Sequence, residues 1–128
     1  TVKKYKADYE DISDTLTSSQ WDAIHSGMRE VVSTMDRFQG FDIPVAGKTG
    51  TAQQNLKRPN HALFVGYAPY DDPEITIAVR IANGYSSHNA ATAARNVISY
   101  YYKETSMKDI KEMKAAGVNG NTRNSVAD

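Results

Sequence analysis

Residues 74–82 alternate between apolar and polar side chains, and this pattern constrains the fold more than any other feature of the chain. A period of two is typical of a β-strand with one buried face. The apolar residues on that face are Ile75, Ile77, Val79 and Ile81. Turn-forming residues at 69–73 separate this strand from an apolar run at 61–68. The sequence therefore predicts an antiparallel hairpin whose first strand is central in a sheet.

A third candidate strand covers residues 43–53. Pro44 lies near its start, where a missing N–H group is tolerated. A polar connector at residues 55–60 joins it to the next strand. We expect these three strands to belong to one antiparallel sheet.

Two amphipathic helices are predicted to flank the sheet. The first begins at Thr17, which has the spacing of a capping box with Gln20. It carries one apolar stripe, and Gly40 is expected to mark a turn after it. The stripe consists of Trp21, Ile24, Met28, Val31, Val32 and Met35. Gly27 interrupts this helix at a cost of about 1 kcal/mol relative to alanine, so we expect it to lie in close contact with another element.

The second helix follows residues 83–89, which offer several N-cap residues. Its apolar face contains small alanines, which favour close packing on a sheet. That face consists of Ala90, Ala94, Val97, Ile98 and Tyr101. Residues 105–128 are polar and are expected to form a mobile tail, most clearly over 111–128. The predicted fold class is α+β, with the domain ending near residue 104.

Composition excludes several classes of function. Fifteen basic residues balance 15 acidic ones, so no net charge favours nucleic acid or an anionic membrane. The chain has no cysteine, and His25, His61 and His88 lack metal-ligand spacing, so neither a metal nor a cofactor is expected. No apolar run approaches the roughly 20 residues of a membrane span. Because the chain starts at Thr1, we expect it to be a fragment or a processed product.

The run Lys48-Thr49-Gly50-Thr51 in the first strand has the residues of half an acyl-transfer site. An edge strand can pair with an extended peptide substrate and can supply one oxyanion donor. Threonine hydroxyls can bind a carboxylate, and a nearby ammonium group can assist proton transfer. Gly50 removes the Cβ that would obstruct a ligand. A lysine-threonine-glycine motif is known from penicillin-binding proteins and β-lactamases.

A structural interpretation of these residues is also open. Lys48 could be an exposed edge-strand lysine that prevents aggregation. Strict alternation puts it on the face opposite Thr49 and Thr51, so a shared site needs a twist or a bulge near Gly50. The aromatic residues Trp21, Phe64 and Tyr67 are assigned to the core. The sequence Ser87-His88-Asn89 is assigned to helix capping, although it has S-x-N spelling.

The order and spacing of these pieces resemble the C-terminal part of the transpeptidase domain of penicillin-binding proteins, most like the class B, monofunctional type. The resemblance covers roughly residues 11–104, and it continues through a Pro73-containing turn, the alternating strand and the final helix. The pieces that carry it are Gly27-Met28-Arg29-Glu30-Val31-Val32, Val45-Ala46-Gly47-Lys48-Thr49-Gly50-Thr51-Ala52-Gln53 and Leu63-Phe64-Val65-Gly66-Tyr67-Ala68-Pro69.

The resemblance implies a D,D-transpeptidase that cross-links peptidoglycan stem peptides and is acylated by β-lactams. Lys48 would then support proton transfer and anchor the substrate. Thr49 and Thr51 would bind the carboxylate of a D-Ala-D-Ala stem peptide or a β-lactam, and the Thr51 N–H would be an oxyanion donor. Gly50 would allow close approach, and Gln53 would line the cleft.

The chain departs from the family pattern because it contains no S-x-x-K, and no S-x-N precedes the K-T-G strand. We therefore expect a fold similar to the penicillin-binding protein and serine β-lactamase fold, with three strands of five here. The nucleophilic serine would lie on an N-terminal remainder of the same protein, which would be this chain's partner. By itself the chain is expected to be inactive. The resemblance further implies an anchor in the parent protein and a location on the extracytoplasmic face of the bacterial membrane.

Two alternative functions remain open at this point. A serine β-lactamase or a β-lactam sensor of the same fold would share the K-T-G strand. A non-catalytic wall-binding module would explain the missing serine, but it has no obvious need for an intact K-T-G-T strand.

Overall fold

The computed structural model describes residues 8–112. The helices and strands are α1 (Ser18–Ser33), β1 (Ala46–Ala52), β2 (His61–Ala68), β3 (Ile75–Ile81), α2 (Ser87–Tyr101) and α3 (Met107–Glu112). Short 3-10 turns at Ser13–Thr15 and Asp36–Phe38 precede and follow α1. The sequence did not predict α3. Most of the predicted mobile tail, residues 113–128, lies outside the described residues.

The three strands form one antiparallel sheet in the order β1-β2-β3. The predicted hairpin of β2 and β3 is confirmed, with Ala62 opposite Ile81 and Ala68 opposite Ile75. The strand β1 is shorter than predicted, because its pairing starts with Ala46 opposite Tyr67. The partner strand β2 ends one residue later at Ala68, and Pro69 has no N–H with which to extend the ladder.

One face of the sheet packs on α2, and we call it the covered face. The alanines of α2 allow the close approach that the sequence predicts. Its fully buried residues are Ala62, Phe64 and Ala68 from the sheet and Ala90, Ala91, Ala94 and Ile98 from α2. The apolar residues of β3 pack against this core, as their alternation predicts. We call the opposite side, which carries Lys48, Leu63, Val65 and Tyr67, the open face.

Phe64 organises the covered face between β1 and β2. It is fully buried, and its ring lies across two glycines that oppose each other, Gly47 and Gly66. A Cβ on Gly47 would stand 2.5 Å from the Phe64 Cζ atom, and one on Gly66 would stand 2.9 Å from Cε1. Both positions therefore need glycine for packing.

The helix α1 begins as predicted. The Thr17 hydroxyl accepts the Gln20 N–H, and the Gln20 side chain accepts the Thr17 N–H, which completes the capping box. The helix packs mainly on β1, where the Arg29 guanidinium donates to the Val45 carbonyl at 3.1 Å. Within the described residues, Val32 is the one side chain of α1 that is buried.

The expectation for Gly27 is wrong in this structure. A Cβ placed on Gly27 would meet nothing within 4 Å. The reason is that Gly27 lies on an exposed side of α1, as does Ile24, which is 43% exposed. The turn predicted at Gly40 is confirmed by its positive φ of 66°.

The short helix α3 owes its start to a reciprocal cap. The Asp109 carboxylate accepts the N–H and hydroxyl of Ser106, and the Ser106 hydroxyl accepts the Asp109 N–H. The hydroxyl donor contributes most to lowering the pKa of the Asp109 carboxyl below its ordinary value. No helix within residues 8–112 is both long and apolar enough to cross a bilayer.

Candidate functional site

The strand β1 is an outer strand of the described sheet, and its backbone groups alternate in direction. The Ala46 carbonyl lies 2.5 Å from where a Cβ on Gly66 would stand, so it points into the gap between β1 and β2. The N–H and C=O groups of one residue of an antiparallel strand point to the same side, and the side alternates along the strand. Those of Thr49 and Thr51 are therefore directed toward the outer edge.

Lys48 lies on the open face opposite Val65 and is exposed. Its Nζ donates to the carbonyl of its neighbour Thr49 at 3.0 Å. Because a surface hydrogen bond of this kind stabilises by little, the ammonium group can leave it for an anionic ligand. The carbonyl it contacts is one that points to the outer edge, so the lysine reaches that edge although its side chain starts on the open face.

Thr49 and Thr51 lie on the other face, opposite Phe64 and Ala62. The pairing from Ala46 to Ala52 is continuous, so the structure has no bulge at Gly50. The position of β1 at the edge of the sheet makes a bulge unnecessary for a shared site. Because no described strand pairs outside β1, the two threonines and Lys48 flank the same edge from its two sides.

Gly50 lies on the open face with Lys48. A Cβ on Gly50 would stand 3.4 Å from the Leu63 Cβ, which is close to an ordinary contact. Packing therefore does not require glycine here as it does at Gly47, and the missing side chain leaves room above Leu63 for a ligand. Gln53 is exposed and follows β1 directly. The candidate site residues are thus contiguous along one edge.

The remaining sequence assignments have mixed outcomes. Phe64 is core, as predicted. Tyr67 is half-buried on the open face, where its ring contacts those of His25 and Tyr70. Trp21 is also only half-buried, and its indole N–H donates to the Ser13 carbonyl. Core packing therefore does not account for Trp21 within the described residues.

Ser87, His88 and Asn89 lie at the start of α2, as predicted, but they form its first turn and the cap is the residue before them. Ser86 is the N-cap residue, and its hydroxyl accepts the His88 N–H. Within residues 8–112, no three His, Asp or Glu side chains lie close enough together to hold a metal ion.

Comparison with known proteins decides the family. The family described as "Penicillin binding protein transpeptidase domain" matches residues 2–99. The chain belongs to the penicillin-binding protein transpeptidase family. The peptidoglycan D,D-transpeptidase MrdA of Haemophilus influenzae is 36% identical over 116 residues, which are 75% of this chain and 18% of that protein. The chain thus spans less than a fifth of the length of this curated relative.

Solved structures agree with this family. Pseudomonas aeruginosa PBP2, in complex with WCK 5153, has a TM-score of 0.61 and 33% identity, covering 75% of this chain and 23% of that one. Penicillin-binding protein A of M. tuberculosis, an imipenem acyl-enzyme complex, has a TM-score of 0.60 and 25% identity, covering 68% and 20%. The predictions of a class B transpeptidase fragment and of an α+β fold are confirmed.

One feature next to the strand was not predicted from the sequence. His61, at the start of β2, is buried and uses both ring nitrogens: Nδ1 accepts the Asn83 N–H at 3.0 Å, and Nε2 lies 2.8 Å from the Gln54 Oε1. The spacing of the histidines shows no metal-ligand pattern and does not indicate this role. The sequence does contain a signal for a histidine with a specific role, because His61 begins an apolar strand directly after a polar connector.

Proposed function

We propose that this chain is the C-terminal part of a peptidoglycan D,D-transpeptidase that works through a serine acyl-enzyme and is acylated by β-lactams. The observation that carries the proposal is the K-T-G-T strand at the sheet edge, with Lys48 exposed beside it. The chain supplies this strand, and the N-terminal remainder of the protein supplies the serine. The imipenem acyl-enzyme of the M. tuberculosis relative is the precedent for covalent β-lactam binding.

The edge suits acyl transfer from a peptide that ends in D-Ala-D-Ala. The serine oxygen attacks the carbonyl carbon of the penultimate D-alanine, and the terminal D-alanine leaves with the proton that the serine gives up. The amine of a second stem peptide then attacks the acyl-enzyme and restores the serine. An extended donor peptide alongside β1 keeps the scissile carbonyl in place during both steps.

Each site residue has a role in this proposal. The Lys48 ammonium attracts the substrate carboxylate. Its positive charge also favours loss of a proton from acidic groups beside it, which assists proton transfer. The hydroxyls of Thr49 and Thr51 hydrogen-bond the carboxylate oxygens. The Thr51 N–H, which is directed to the edge, donates to the oxyanion. Gly50 leaves the space that the ligand occupies, and Gln53 lines the end of the cleft.

The N-terminal remainder is the proposed partner of the open face. Val65 is 50% exposed at the centre of that face, and a groove of about 430 Å³ runs between α1 and β3. The Tyr67 hydroxyl at this groove is buried without a hydrogen-bond partner among the described residues. Burial raises the pKa of this phenol, so it keeps its proton, and an acceptor on the N-terminal remainder would satisfy it.

The proposed location follows from the substrate. Stem peptides are cross-linked outside the cytoplasmic membrane, so the parent protein acts on its extracytoplasmic face. A membrane anchor elsewhere in the parent protein would hold it there.

The test uses the full-length protein and a fluorescent penicillin. We expect stable labelling of the wild type and a reduction of the acylation rate by about a hundredfold in Lys48→Ala, which is typical for the loss of a group that assists proton transfer. Lys108→Ala, which removes an exposed lysine on α3, is the matched control and should label normally.

Two results would contradict the proposal. Rapid release of the hydrolysed penicillin would indicate a β-lactamase instead. Binding of a D-Ala-D-Ala peptide without any acylation would indicate a non-catalytic wall-binding module.

A further inference from the structure

His61 joins three segments of the chain at the end of the K-T-G-T strand. It is 8% exposed, and it lies opposite Ala52, the last residue of β1. Its ring reaches Gln54 in the loop after β1 and Asn83 in the turn after β3. The side chain therefore connects the segments that follow the two outer strands.

The partners of His61 select the tautomer of its neutral ring. A backbone N–H can only donate, so Nδ1 must accept from Asn83 and carries no proton. In the neutral ring the proton is then on Nε2, which donates to the Gln54 Oε1. Each nitrogen has one partner of the right kind, so the ring has a single favourable orientation.

The two hydrogen bonds of the His61 ring lie in different surroundings. On the Asn83 side, the turn is held by further bonds: the Tyr85 N–H donates to the Asn60 carbonyl, and the Asn89 side chain donates to the Gly84 carbonyl. On the Gln54 side, the loop is exposed at residues 53–58. The bond from His61 consequently anchors an exposed loop to a rigid corner of the fold.

We propose that His61 is a positioning residue of the transpeptidase site, acting through Gln54 to fix the direction in which Gln53 leaves β1. The inference rests on the proposed function, because Gln53 is the residue assigned to the cleft. His61 itself does not touch the reacting atoms. Loss of the Gln54 contact should therefore weaken substrate binding and leave the acylation step nearly unchanged.

The experiment uses full-length variants and measures the rate of labelling against the concentration of fluorescent penicillin. Gln54→Ala should raise the half-saturating concentration about fivefold, as expected for the loss of one hydrogen bond, with a limiting rate within about twofold of wild type. His61→Asn keeps an acceptor near the Nδ1 position but cannot reach Gln54, so it should behave like Gln54→Ala. His61→Gln places an amide donor near the Nε2 position and should restore much of the affinity.

The double variant and one control separate positioning from general stability. Gln54→Ala combined with His61→Asn should be no worse than either change alone, because both remove the same contact. Gln39→Ala is the matched control, since it removes a single glutamine bond to the Ser33 carbonyl, in a turn outside the candidate site. It should leave the half-saturating concentration unchanged. Additive effects in the double variant, or an unchanged half-saturating concentration in Gln54→Ala, would overturn the inference.

Hydrogen exchange measured by mass spectrometry distinguishes failure of the role proposed for His61 from failure of the proposed function. If the wild type is not labelled at all, the proposed function fails. The bond between His61 and Gln54, which we call the clamp, still predicts faster exchange at residues 53–58 in His61→Asn than in wild type. Equal exchange in the two proteins would overturn the role of His61 whatever the labelling result.

Discussion

Gly47 and Gly50 lie three residues apart on β1, and their reasons for being glycine differ. Gly47 is on the covered face, where a Cβ would meet the Phe64 ring at 2.5 Å and the Val65 carbonyl at 2.8 Å. Gly50 is on the open face, where the nearest atom to a Cβ would be 3.4 Å away on Leu63. The motif identifies Gly50 in the sequence, whereas the requirement at Gly47 comes from a ring on the neighbouring strand and has no local signal.

This difference predicts opposite results for two alanine variants of the full-length protein. Gly47→Ala should lower the free energy of unfolding by about 1–3 kcal/mol, because the backbone carbonyl of Val65 cannot move aside without disturbing the ladder. Gly50→Ala should unfold like wild type but should be acylated more slowly by fluorescent penicillin. Chemical denaturation and the labelling rate together check both. Equal stability of Gly47→Ala and wild type would contradict the packing argument.

The elements that the sequence predicts well are those with local signals. The start of α1 follows from Thr17 and Gln20, and β3 follows from its alternation; both are confirmed. The helix α3 has only six residues and no apolar period, so pattern alone could not find it. The clamp at His61 was missed because it joins residues from three separate segments, and only the folded sheet brings them together.

The capping box of α1 gives a prediction at this scale. Thr17→Ala should lower the free energy of unfolding by about 1 kcal/mol, since the hydroxyl that accepts the Gln20 N–H is lost. Thr17→Ser keeps that acceptor and should remain near wild type, as should Ser18→Ala at the next, exposed position. Chemical denaturation of the full-length variants measures the difference. A stability loss in Ser18→Ala as large as in Thr17→Ala would show that the cap is not the cause.

At the scale of the whole molecule, the two faces of the sheet are unequally covered: α2 buries one of them, whereas α1 covers only part of the open face. The covered face buries Phe64 and Ile98 completely, whereas Val65 and Ile24 on the other side are about half exposed. The chain spans 18% of the length of its H. influenzae relative. A three-stranded sheet with one partly uncovered apolar face has little buried area to offset the conformational entropy of folding.

We therefore expect residues 1–128, expressed alone, to unfold over a broad temperature range and to bind a hydrophobic dye, because the open face lacks its cover. Adding the N-terminal remainder as a separate polypeptide should sharpen the transition and displace the dye.

Val65→Glu should weaken this association, because it puts a charge at the centre of the open face. Met107→Glu, at a residue on α3 with nearly the same exposure (49% against 50%), should leave the association intact. A sharp, cooperative transition of the chain alone would show that the open face needs no partner for folding, and equal association of the two variants would mean that the partner binds elsewhere.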